Sequence, residues 1–123
     1  MRKLKFRAWD DEVNKMYYYP NQHILMDMEG VVVNLQNGVM LKPLLFIGLQ
    51  DKNRVDIYEG DIVELQDTTY ITPYVVRMSV GCWECHAEND GYGNPNTELL
   101  RDWAGYIKAI GNIYENPELL QRK

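Results

Sequence analysis

The chain is poor in the residues from which nucleophilic catalysis is built. It has one serine, Ser79, two histidines, His23 and His86, and two cysteines, Cys82 and Cys85. Ser79 lies inside a strand-like run with neither histidine near it in sequence. No G-x-S-x-G, P-loop or G-x-G-x-x-G pattern accompanies it, so neither hydrolase nor nucleotide-binding machinery is visible. The neighbouring acids Asp10 with Asp11, and Glu59 with Asp61, fall in turn-like stretches, where carboxylates commonly serve local hydrogen bonding. Nowhere do eighteen apolar residues run together, and the opening "MRKLKFRAWDDE" has charges but no apolar segment of signal-peptide length. The expectation is a cytoplasmic protein without membrane association. A surplus of positive charge is missing too. Thirteen Lys and Arg against eighteen Asp and Glu leave a net charge of −5, which opposes the phosphate neutralisation behind non-specific nucleic-acid binding. No internal repeat, low-complexity tract or linker interrupts the chain, and no cofactor is implied.

What is present favours strands. Of 123 residues, 46% are hydrophobic and 25% charged, and nine of the fourteen aromatics are Tyr, a composition that leans towards a β-rich core in one domain spanning 1–123. "KLKFRAW" alternates Leu4, Phe6 and Ala8 against Lys3, Lys5 and Arg7, the period of a half-buried strand. After the polar turn "DDEVNK", "MYYYP" returns as a second strand, so the first twenty residues read as a hairpin. From 24 to 50 the runs "ILMDM", "VVVNLQ" and "GVMLKPLLFIGLQD" do not separate strand from buried helix. Beyond Gly48 the pattern sharpens. A turn at Asp51 to Asn53 leads to a strand through Val55, Ile57 and Tyr58, then a tight Glu59-Gly60 turn and a strand at Ile62, Val63 and Leu65. Gly60 suits the positive φ of that turn, and Asp61 is placed to hydrogen-bond back to its backbone. "YVVRMSV" and "CWECHAE" read as two further strands parted by Gly81, followed by the loop "NDGYGNPN". The ending holds a strand at Tyr106 to Ile110, a break at Gly111, and a short helical turn with Asn116 as cap and Pro117 at its first position.

Three blocks carry a family resemblance: "KFRAWD" with "KMYY", then "GLQDKNRVDIYEGDIVEL", then "IGNIYENPELL". Together they resemble the YopX family, small proteins encoded mainly by bacteriophages and prophages of Gram-positive bacteria, and the likeness runs from Lys5 to Leu120. The resemblance implies a mainly β fold with minor α content: an N-terminal hairpin and variable region over 1–47, an SH3-like small β-barrel over 48–115 and a C-terminal helical turn over 116–123. It implies structural roles for Phe6, Trp9, Asp10, Gly48, Asp51, Tyr58, Glu59, Gly60, Asp61, Gly111 and Asn112. It brings no established activity. Neither "CWECH" nor "NDGYGNPN" belongs to the shared pattern.

The stretch Cys82-Trp83-Glu84-Cys85-His86 fits haem attachment, half a zinc site or a redox dithiol by spacing alone. On a strand, residues three apart face opposite ways, so Cys82 and Cys85 diverge unless a bulge intervenes. Zinc would need Cys82, Cys85, His86 and the distant His23, a set without the second closely spaced pair that structural sites usually bring. The plainer reading is two small thiols in a β-region with Trp83 against the core.

The expected function is protein interaction without catalysis, including self-association through weakly charged edge strands such as "KMYYY" and "ITPYVV". The candidate surface comprises Arg2, Lys3, Lys5, Arg7, Tyr17, Tyr18 and Tyr19. The alternative is a nucleic-acid accessory protein in which that basic arm works beside a stacking platform drawn from Tyr17, Tyr18, Tyr19, Tyr70, Tyr74, Tyr92 and Trp103. A chelator is expected to leave the thermal unfolding midpoint of untagged protein unchanged. Stoichiometric zinc with a large chelator-induced fall would overturn the plain reading of "CWECH".

Overall fold

A computed structural model describes residues 5–66, 72–79, 81–90 and 92–121; Arg2, Lys3 and Tyr70 lie outside them. The described chain is mainly β and divides into two compact units, Met1–Phe46 and Ile47–Lys123.

In the first unit the alternating opening becomes β1 (Phe6–Asp10). It pairs antiparallel with β2 (Lys15–Tyr18), Ala8 opposite Tyr17 and Asp10 opposite Lys15. Asn14 closes the turn between them with φ 53°, a left-handed conformation that Asn tolerates better than most residues. On its other edge β1 pairs with the start of β6 (Pro43–Gln50), Phe6 opposite Leu45. Pro43 opens that strand, a position where its missing N–H costs little. Between β2 and β6 the chain builds a three-stranded antiparallel sheet from β3 (Ile24–Met26), β4 (Val32–Asn34) and β5 (Met40–Leu41), in that order. The ambiguous stretch from 24 to 50 is thus strand and turn. Phe6, Ala8, Tyr17, Ile24, Val32 and Leu41 form its core, with the Phe6 ring stacked on Tyr19 at 4.6 Å.

In the second unit β6 runs on and pairs with β7 (Asp56–Tyr58). Gly60 then turns the chain with φ 88°, Asp61 Oδ2 accepts the Tyr58 N–H at 2.8 Å, and β8 (Asp61–Leu65) follows, buried along its whole length. β9 (Tyr74–Ser79), β10 (Cys82–Ala87), β11 (Asn96–Leu99) and β12 (Ile107–Asn112) complete a five-stranded antiparallel sheet ordered β11-β10-β9-β8-β12. Its core gathers Ile57, Val63, Leu65, Val76, Cys85, Leu100 and Ile107. The loop before β11 is shorter than "NDGYGNPN" indicates, because Asn96 already pairs with Ala87, and a 3-10 turn over Leu100–Trp103 buries Leu100.

Gly111 is not a break: it pairs with Ile62, just past a bulge at Ile110. It lies inside β12, where the register with β8 shifts between Ala109 and Gly111. Asn116 stands just before the five-residue 3-10 helix Pro117–Gln121: its carbonyl accepts the Leu119 N–H at 3.1 Å, and its Oδ1 reaches back to accept the Asn112 N–H at 3.1 Å. The absent side chain at Gly111 makes room for both. A Cβ there would sit 2.6 Å from Asn116 Oδ1 and 2.9 Å from Leu119 Cδ1. Gly111→Ala is therefore expected to lower the unfolding free energy by about 1–3 kcal/mol through overpacking, read as a fall in the urea midpoint. An unchanged midpoint would show that the terminal segment shifts aside without cost.

Candidate functional site

Strand parity decides the cysteine stretch. Along β10, Cys85 and Ala87 are buried with Trp83 partly so, whereas Cys82 is exposed and shares its side with Glu84 and His86. The two thiols point away from each other. Burial, followed by the neighbouring Glu98 charge, pushes the Cys85 thiol up to about 12, so at neutral pH it stays protonated and is a poor nucleophile or metal ligand. Cys82 donates from Sγ to the Ser79 carbonyl at 3.2 Å. His86 lies 2.7 Å from Thr97 Oγ1 through Nδ1 and 3.1 Å from Glu88 Oε1 through Nε2. His23 belongs to the first unit, its ring edge-on to Tyr17 at 6.3 Å. Among the described residues no group of three or more His, Cys, Asp or Glu is placed to hold a metal.

The acids and amides of the three family-like blocks act instead on backbone and on one another. Asp10, fully buried, accepts Asn34 Nδ2 at 2.7 Å, Asn37 Nδ2 at 2.9 Å and the Glu12 N–H at 2.9 Å. Tyr17 extends this network, donating from its hydroxyl to Gln36 Oε1 at 3.4 Å. The Asn37 amide, opposed by burial but joined by Asn34 and backbone N–H groups, holds the Asp10 carboxyl below its ordinary 3.8. Asp51 Oδ1 accepts Asn53 and Val55 N–H groups at 2.8 and 2.9 Å, and Oδ2 accepts the Ala109 N–H at 3.0 Å. Burial pushes that carboxyl up, yet the Val55, Ala109 and Asn53 amides outweigh it and leave it below 3.8. Asn112 Oδ1 accepts Tyr114 and Glu115 N–H groups at 3.0 and 2.8 Å. A further polar cluster escaped the sequence reading: Glu98 accepts Trp103 Nε1 at 3.0 Å and Asn96 Nδ2 at 2.9 Å, and Asn96 also donates to the Tyr74 hydroxyl at 2.9 Å. Burial pushes the Tyr74 phenol above its usual 10.0.

The basic and aromatic surface is smaller than expected. Arg7, placed towards solvent by alternation, is buried. Its guanidinium lies 5.9 Å from the Tyr18 ring centroid and donates to the Tyr18 hydroxyl at 3.4 Å. The cause is cross-strand pairing, since Arg7 stands opposite Tyr18 and its long stem can lie along the ring. Tyr17 is a core residue and Tyr19 is half-buried, leaving Lys5 and Tyr18 exposed. The Lys5 ammonium sits over Phe46 at 4.7 Å. A different surface was overlooked: Leu25 and Met40 are exposed on the outer face of the three-stranded sheet with Val33 half-buried between them, and Leu35 is exposed in the turn just after β4. Its signal was the apolar run "VVV" at 31–33, which puts apolar residues on both faces of a strand where one solvated face would show alternation.

Over residues 5–121 the sequence matches the family described as YopX protein. The chain belongs to the YopX family. Among solved structures, it is similar to the crystal structure of protein YopX from Bacillus subtilis, with 22% identity, a TM-score of 0.59 and coverage of 94% of this chain and 97% of that one. It is equally similar to protein EF1440 from Enterococcus faecalis, at 22% identity and a TM-score of 0.59 over 98% and 99% of the two chains. No curated protein matches. The YopX match spans every residue of the polar clusters and of the exposed apolar face.

Asp10 and Asp51 both titrate lower in the folded chain than in an unfolded one. Their contribution to stability is complete above the ordinary carboxyl value near 3.8 and disappears as pH falls through the lower folded values. Asp51→Asn is expected to cost about 1–3 kcal/mol at neutral pH and to flatten the acid limb of a stability-against-pH curve. An acid limb as steep as that of the parent chain would contradict it.

Proposed function

We propose that the protein is a non-enzymatic protein-interaction module encoded by a bacteriophage or prophage and acting in the host-cell cytoplasm. Its second unit we read as a small barrel of the SH3-like kind, because Ile47 and Ile57 of β6 and β7 share one core with Val63, Val76 and Ile107 of the five-stranded sheet. One observation carries the functional reading. A small three-stranded sheet and the turn just after β4 leave Leu25 and Leu35 each 56% exposed and Met40 74% exposed, and contiguous apolar surface of this kind marks contact sites. The buried carboxylates of Asp10, Asp51 and Asp61, by contrast, accept N–H groups of turns, and burial keeps the Cys85 thiol protonated.

The nucleic-acid alternative draws on less. With Arg7 and Tyr17 buried, Lys5, Tyr18 and Tyr92 are its exposed described members, and the net charge of −5 works against phosphate binding. Affinity capture from phage-carrying cells, with and without nuclease, separates the readings. Defined protein partners that survive nuclease treatment are the expected result. Recovered nucleic acid, with oligonucleotide binding that persists at physiological salt and is lost on replacing Lys3, Lys5 and Arg7 by Ala, would put the alternative first.

A further inference from the structure

The exposed face of the β3-β4-β5 sheet can be assigned an occupant, an inference that rests on the interaction reading above. Residue parity divides this sheet cleanly. Ile24, Val32, Asn34 and Leu41 turn inward and are buried, whereas Leu25, Val33 and Met40 turn outward and Leu35 is exposed in the turn just after β4. The register sets Leu25 opposite Val33 and Val33 opposite Met40, so these three lie in one line running across the strands. Leu25 and Leu35 are each 56% exposed and Met40 74%; they would form the apolar centre of a contact, with the margin of the sheet supplying the rest of the about 800 Å² that each partner brings to a standard interface.

We propose that this face stacks on the same face of a second copy of the chain. Two features favour a copy over a foreign protein. The line Leu25-Val33-Met40 carries no charge and no hydrogen-bonding side chain, so it matches itself without like-charge repulsion and offers a foreign partner little polar specificity. The charges at its margin also suit a two-fold arrangement. Asp27 and Glu29 occupy the turn joining β3 to β4, and Lys42 follows Leu41, which is paired with Val32, so all three lie at one end of the face. His23, Leu35 and Gln36 lie at the other end, where the Leu35 N–H donates to the His23 carbonyl at 2.8 Å. A two-fold axis laid along the Leu25-Val33-Met40 line, in the plane between the stacked sheets, sets each of these side chains on its own counterpart. It also turns the copy's strands end for end, so the charged end of one sheet lies over the neutral end of the other. The result is a two-layer sandwich with sheets about 10 Å apart.

Because Met40 meets Met40 across the axis, charge placed there reads out the geometry. Sedimentation equilibrium of the full chain over a range of concentrations should show a monomer–dimer equilibrium. Met40→Glu and Met40→Lys should each weaken it by about tenfold or more, since like charges then face each other. An equimolar mixture of the two variants should restore dimerisation. Leu25→Glu with Leu25→Lys repeats the test at the other edge of the sheet, and circular dichroism with thermal unfolding establishes that each variant keeps its fold. A parent chain that stays monomeric at all concentrations overturns the proposal, and the capture experiment then decides independently whether the interaction reading survives with foreign partners. A dimer indifferent to these variants, or a mixture no tighter than either variant alone, also overturns it.

Discussion

Three backbone N–H groups converge on the carboxylate of Asp51, and they come from two distant parts of the chain. Asn53 and Val55 belong to the turn that Asp51 itself opens, while Ala109 arrives from β12, 58 residues later. The Lys52 N–H donates to the Ile107 carbonyl at 2.8 Å, reinforcing the same junction. Turn backbone has no ladder partner for its donors, and a buried donor without an acceptor is expensive. Asp51 removes that cost at a site where Arg54 must also take φ 64°. This carboxylate ties the turn to β12, the edge strand that also pairs with β8 in the five-stranded sheet. Asp61, Asn112 and Asp10 repeat the device at three other turns, where their side chains supply acceptors for turn N–H groups.

The legible parts of the sequence were those in which one residue type answers one local demand. The hairpin of β1 and β2 and the turn at Gly60 followed from alternation and from turn chemistry, both of which act within a few residues. Arg7 misled because alternation assigns a face without regard to what covers it, and its guanidinium, 5.9 Å from the centroid of the Tyr18 ring, is buried. Gly111 looked like a stop because glycine weakens a strand; its actual role, to admit Asn116 and Leu119, is set by residues beyond it. The partners of Asp10, Asn34 and Asn37, lie 24 and 27 residues away, and no periodicity reveals such a pairing. Strand parity did resolve the cysteine stretch, because a period of two leaves no freedom for residues three apart.

The YopX blocks and the surface that motivates the functional reading occupy different parts of the chain. Phe6, Asp10, Asp51, Gly60, Asp61, Gly111 and Asn112 pack the cores, shape the turns or receive backbone N–H groups. Leu25, Val33, Leu35 and Met40 stand between the first and second blocks. A family signature made of turn and core residues describes how the chain folds and leaves open what it touches, which is why the resemblance brought architecture without chemistry.

The two cysteines on β10 form a built-in gauge of local opening. Cys82 is exposed and Cys85 is buried, though they stand only three positions apart. An alkylating reagent meets the first directly from solvent, but reaches the second only when the strand lifts from its core. Both marks fall on one proteolytic fragment, so their ratio is a clock for the breathing of the second unit, read without any engineered label.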